Sequence, residues 1–152
     1  MTIKGRVSVI IPSRNEKFLT KTIKDVLAKS RGDLEVIAVL DGYWQPPEEI
    51  VSDRRLHYLH NGQSLGMRSA INRGAAIATG EYLLKSDGHC MYDEGFDVRL
   101  VSDVPVYTSK LQGTTMPDNW IVIPRRNRLD AEKWEIQEVG KPPVDYEYIR
   151  FN

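Results

Sequence analysis

The chain has 152 residues, 41% of them hydrophobic and 28% charged, with 21 basic and 21 acidic side chains in balance. That length suits one domain burying roughly two-thirds of its unfolded surface, and the balance gives no general electrostatic case for nucleic acid or an anionic membrane as partner. One cysteine, Cys90, excludes an intrachain disulfide and suits a reducing compartment. The amino terminus lacks the apolar core of a signal peptide, and no run approaches the roughly 18 apolar residues of a membrane span, so a cytoplasmic protein is expected.

Val7 to Ile11 is a β-branched run that predicts a central strand, stopped at Pro12 and followed by a loop, Ser13-Arg14-Asn15-Glu16. Thr20 can cap the next helix, whose Leu19, Ile23, Val26 and Leu27 fall on one stripe and which Gly32 can end. Leu34 to Leu40 predicts a second buried strand ending in Asp41-Gly42, which completes a βαβ unit. Tyr43 to Asp53 carries Pro46-Pro47 and predicts a loop with a short helix; Leu56 to Leu59 predicts a brief strand before an Asn61-Gly62 turn. Met67, Ala70, Ile71, Gly74, Ala75 and Ala78 trace a helix face of small residues suited to close packing, and Glu81 to Lys85 predicts another buried strand. Beyond it, Gly95 to Val104 fits a helix and Trp120 to Ile123 a strand closed by Pro124. Arg125 to Asn152 is polar, with Pro142-Pro143 and the aromatics Tyr146, Tyr148 and Phe151.

The chemistry-bearing residues cluster after strands, where open α/β sheets place their ligands. Asp87-Gly88-His89 follows the Glu81–Lys85 run; if the backbone stays extended, side chains at i and i+2 converge and can share a divalent cation. The other reading of that tripeptide is turn chemistry. Asp41 could accept hydrogen bonds from a base or ribose, or simply make an Asp-Gly turn. Arg14 and Arg68 could neutralise a diphosphate, or be solvated. Cys90 fits a half-buried filler better than a ligand. No G-x-G-x-x-G follows the first strand and no G-x-x-x-x-G-K-[ST] occurs. Without a glycine-lined phosphate cradle, a metal bridging the phosphates is the more natural solution.

Four blocks then carry a resemblance: Val7 to Glu16, Val36 to Gly42, Asn61-Gly62 with Leu65 to Gly74, and Ala78 to Cys90. In order and spacing they resemble the GT-A glycosyltransferases, the nucleotide-diphospho-sugar transferase fold, in its family 2 type. Asp87-Gly88-His89 departs from the usual D-x-D of that family and is similar to the D-x-H of the polypeptide N-acetylgalactosaminyltransferases. Trp120 to Pro124 through Leu129-Asp130 also resembles the segment those enzymes carry next. The resemblance implies an α/β fold with a mostly parallel sheet flanked by helices. It implies that Pro12, Ser13, Arg14, Asn15 and Glu16 border the nucleotide, that Asp41 contacts the base, and that Arg68 lies near it. It further implies that Asp87 and His89 hold Mn²⁺ or Mg²⁺ on the diphosphate, and that the donor is a uridine nucleotide sugar.

The acceptor-side elements of such enzymes, a Gly-Gly loop and an acidic motif supplying a base, are not evident after His89. Glu135, Asp145 and Glu147 are the acidic candidates there, each better read as a surface charge. The expectation is one domain over residues 1–152, with a nucleotide-sugar part (1–90) and a partial acceptor part (91–152), apparently truncated. The function expected is metal-dependent sugar transfer to an unidentified acceptor, the D-x-H leaning toward retention. The alternative is a nucleotide-sugar-binding module without turnover. Tyr43, Trp44 and Trp134 could stack on a base or sugar or cover apolar surface, and the aromatics near the carboxyl end could mark a homo-oligomer interface.

Overall fold

Apolar runs of five to eight residues separated by amphipathic stretches of helical period fold, as the pattern dictates, into alternating strands and helices. The computed structural model describes residues 1–102, 123–124 and 126–137. In order these give β1 (Ile3–Ser13), α1 (Leu19–Lys29), β2 (Leu34–Asp41), a single 3-10 turn at Pro47–Glu49, β3 (Leu56–Asn61), α2 (Met67–Ile77) and β4 (Gly80–Lys85). A helical segment over 96–102 follows, and later a hairpin of β5 (Leu129–Asp130) and β6 (Glu135–Ile136). The chain divides into two units, Met1–Val101 and Ser102–Asn152.

In the first unit four strands pair in parallel in the order β3-β2-β1-β4. The chain winds from β1 through β2 to β3, then returns to the other side of β1 for β4. The winding reverses between β1 and β4, and in open α/β sheets that reversal opens a crevice at the strands' carboxyl ends. All eight residues of β2 are buried. Alternate residues feed two layers: Val7, Val9, Ile11, Val36 and Ala38 meet Ile23, Val26 and Leu27 of α1, while Ile10, Ile37 and Val39 meet Ala70 of α2. Gly74 is what lets α2 sit so close. A Cβ there would lie 2.7 Å from Cγ2 of Ile10 and 3.2 Å from Cγ2 of Val39.

Several local expectations change. Thr20 lies inside α1, whose N-cap is Phe18, and its hydroxyl donates to the Glu49 carbonyl at 2.8 Å. Chain reversal sets in at Ser30, where the backbone turns extended, rather than at Gly32. Met67 on the predicted apolar face is exposed, because only Ala70 and Gly74 of α2 reach the buried layer. β4 was expected to be buried and instead alternates: Tyr82 and Leu84 pack on the α1-side core, while Glu81, Leu83 (58% exposed) and Lys85 face outward. The reason is position. α2 packs over β1 and β2, and β4 borders the sheet among the described residues.

The division expected at residue 90 falls within the first unit. Asp97, fully buried, accepts from the backbone N–H groups of Arg31 and Gly32 (2.8–3.1 Å), which ties the 96–102 segment to the α1–β2 turn. Ile123 and Pro124 are not in a strand, and Trp120 to Val122, Val104, Asp145, Tyr146, Glu147, Tyr148 and Phe151 lie outside the described residues. In the second unit, the Asp130 carboxylate accepts from the N–H groups of Glu132 and Lys133, closing the hairpin turn. Glu135 is exposed on β6.

Candidate functional site

Parallel pairing puts the carboxyl ends of all four strands, at Ser13, Asp41, Asn61 and Lys85, on one edge of the sheet. Pro12 and Ser13 still belong to β1, and Arg14 and Asn15 stand exposed in the loop after it. Asn15 adopts φ +56°, in the left-handed region that asparagine tolerates well. The Ser13 hydroxyl is 2.7 Å from the Tyr43 phenol oxygen, which links the loop after β1 to the loop after β2. Burial pushes the Tyr43 phenol up, with the Ser13 hydrogen bond opposing. Farther along, the Gln45 amide donates to Thr20 Oγ1 (2.6 Å) and to the Glu49 carbonyl (3.2 Å), so this loop is also bonded to α1.

Asp41 is 3% exposed and accepts four hydrogen bonds: from Asn61 Nδ2 (2.7 Å), Ser64 Oγ (2.8 Å), and the N–H groups of Leu65 and Gly66 (both 2.9 Å). Burial alone would raise its pKa, and the four donors outweigh that, holding the carboxyl well below the usual range. Four donors fill the lone-pair positions of one carboxylate. Within the chain, all four are used to anchor the loop that leads into α2. Gly42 beside it has φ +83°, and a Cβ there would meet the Ser64 nitrogen at 2.5 Å, so the loop closes directly over this glycine. Asn61 in turn accepts from Arg73 of α2. Sequence reading missed Asn61, Ser64 and Arg73 as partners, since an acid and its donors twenty residues apart leave no local signature.

Asp87 and His89 do not share an extended backbone. β4 ends at Lys85 and the chain turns at Gly88-His89. Gly88 packs on Glu16, where a Cβ would lie 2.5 Å from Glu16 Cγ. Asp87 pairs with the Lys85 ammonium, and His89 Nδ1 lies 3.4 Å from Glu16 Oε2. The turn is seated on α1: the Cys90 N–H donates to Thr22 Oγ1 (3.1 Å) and the Tyr92 N–H to Asp25 Oδ2 (2.7 Å). Among the described residues, no three His, Cys, Asp or Glu side chains are grouped to hold an ion. Arg68 is exposed in the first turn of α2.

One corner of the edge has a different character. The indole of Trp44, in the loop after β2, stacks on the imidazole of His60 near the end of β3, with centroids 3.6 Å apart and planes at 16°. Two buried side-chain polar atoms lack a hydrogen-bond partner among the described residues, Gln45 Oε1 and His60 Nε2.

The family model for glycosyl transferase family 2 matches residues 8–104. The chain is 32% identical over 112 residues to a putative polypeptide N-acetylgalactosaminyltransferase 13 of Drosophila melanogaster, a match covering 62% of this chain and 20% of that protein. It is 29% identical over 104 residues to the glycosyltransferase GlyG of Streptococcus pneumoniae, covering 64% and 35% respectively. It is 34% identical over 88 residues to the uncharacterized glycosyltransferase EpsJ of Bacillus subtilis, covering 54% and 25%. The match thus spans about a fifth to a third of the length of these relatives.

Proposed function

The chain belongs to glycosyl transferase family 2, and from that premise we propose that its carboxyl edge binds a nucleotide-diphospho-sugar for metal-dependent sugar transfer. One observation carries the reading. A parallel sheet in the order β3-β2-β1-β4 brings the Ser13–Glu16 loop and Asp87-Gly88-His89 to the two sides of the winding reversal, where ligands of such sheets bind.

Pro12, Ser13, Arg14, Asn15 and Glu16 border the nucleotide, and the exposed guanidinium groups of Arg14 and Arg68 offset charge on the diphosphate. Asp87 and His89 hold Mn²⁺ or Mg²⁺. The donor set fits a cation shared with substrate: one carboxylate and one imidazole leave the remaining positions to phosphate oxygens and water, as such ions prefer to an all-protein cage. Asp87 is paired with the Lys85 ammonium, which a bound cation would displace from that carboxylate. The bound cation would stabilise the negative charge gathering on the leaving diphosphate. The residues of the chain orient the donor: Glu16 fixes the His89 ring, and Asp41 fixes the loop before α2. A uridine nucleotide is the first base to try, and an N-acetylhexosamine the first sugar, given the name of the Drosophila relative.

Calorimetric titration of UDP, GDP and ADP, with Mn²⁺ and then with EDTA, tests this. The expected result is binding of one nucleotide that EDTA abolishes and that Asp87→Ala loses while its melting temperature stays within a few degrees of the wild type. Binding that is indifferent to EDTA or to Asp87→Ala would remove the metal from the account. The second reading is donor binding without turnover. Slow donor hydrolysis in the presence of metal separates the two, because a binding module shows none.

A further inference from the structure

We propose that the outer face of the Trp44 indole is the stacking platform for the base of the nucleotide, which makes Trp44 a binding residue that favours a nucleoside diphosphate over a bare diphosphate. The inference rests on the donor-binding reading above and adds to it a residue and a chemistry. The indole is 74% exposed and so presents an open aromatic face on which a flat heterocycle can stack. This one is held in place. Its inner face lies on His60, and its neighbours Tyr43 and Gln45 are hydrogen-bonded to Ser13 and to Thr20. Fixing a ring in advance removes the ordering cost that a mobile side chain would add to binding.

The spacing also suits a nucleotide. His60 lies on β3 and Asp87 follows β4, at opposite sides of the sheet. Three strand spacings separate them, roughly 14 Å, comparable to the reach of an extended nucleoside diphosphate from base to terminal phosphate. A base on Trp44 and a diphosphate at Asp87 would therefore occupy one edge together.

The test compares wild type, Trp44→Ala and Trp44→Phe by calorimetry, with UDP, GDP and ADP and with inorganic pyrophosphate, all in Mn²⁺. Trp44→Ala is expected to weaken the preferred nucleotide about 5- to 100-fold, the range for loss of one base–aromatic stack, and to leave pyrophosphate unchanged. Trp44→Phe should restore most of the loss. Nucleotide affinity equal to wild type in Trp44→Ala overturns the stack while leaving the donor site standing. An equal loss for pyrophosphate overturns it too, since the residue would then act through structure alone. Wild type that binds neither nucleotide nor pyrophosphate overturns the donor-binding reading itself.

Discussion

Asp41 shows how one carboxylate can set the shape of a loop at the sheet edge. Its four donors come from three loop residues and the end of β3. An amide in its place would turn an NH₂ toward groups that are themselves donors. Asp41→Asn is expected to destabilise the fold by about 2–3 kcal/mol, the scale of charge-assisted hydrogen bonds lost with a buried donor left over, measured by urea denaturation. The pH dependence has a definite sign. A carboxyl held below its unfolded value of roughly 3.9 adds stability that is in full force above that pH and is lost as pH falls through the folded value. Glu35 acts in the same direction: burial opposes, but hydrogen bonds from Ser8 and Thr79 prevail. The denaturation midpoint should therefore drop below about pH 4, and less steeply in Asp41→Asn. None of this network was legible in the sequence. Asp41-Gly42 was visible as a strand end, but its partners are fixed only by how the chain returns after β3. The pairing of Trp44 with His60 was hidden for the same reason.

Elements were more legible than their surroundings. Periodicity located every strand and helix of the first unit, since a stripe such as Leu19, Ile23, Val26 and Leu27 has no other good way to be buried. It also suggested close packing of α2, which Gly74 bears out. Gly74→Ala puts this to the test. The helix gains about 1 kcal/mol of propensity, but the new methyl meets two β-branched side chains that cannot swing away, and overpacking costs roughly 1–3 kcal/mol. A net loss near 1 kcal/mol is expected. Ile10→Val in the same chain should recover part of it, a non-additivity readable in a double-mutant cycle. What periodicity could not supply was which strand lies at a border. Tyr82-Leu83-Leu84 reads as one apolar run, so Leu83 looked like core until the sheet order was known.

For the molecule as a whole, stability should be graded across the sheet. β1 and β2 sit between both layers, while β3 and β4 flank them. Native-state hydrogen exchange should show Val9 to Ile11 and Val36 to Val39 opening only with global unfolding, and β3 and β4 amides exchanging at lower free energy. Uniform protection across the four strands would contradict the layering. At this scale the resemblance gave the mostly parallel sheet flanked by helices, but the strand order is legible only in the structure. The separate unit beyond Val101 was not legible, since its described part has only a two-residue-per-strand hairpin with no periodic face. The anchored loop after β3 also has a kinetic consequence. Its backbone is ordered by Asp41 during folding, before any encounter, so no slow rearrangement of that loop need precede or follow docking. In stopped-flow mixing, the observed association rate should rise in proportion to ligand concentration without reaching a plateau. Asp41→Asn, by loosening the loop, should introduce the plateau.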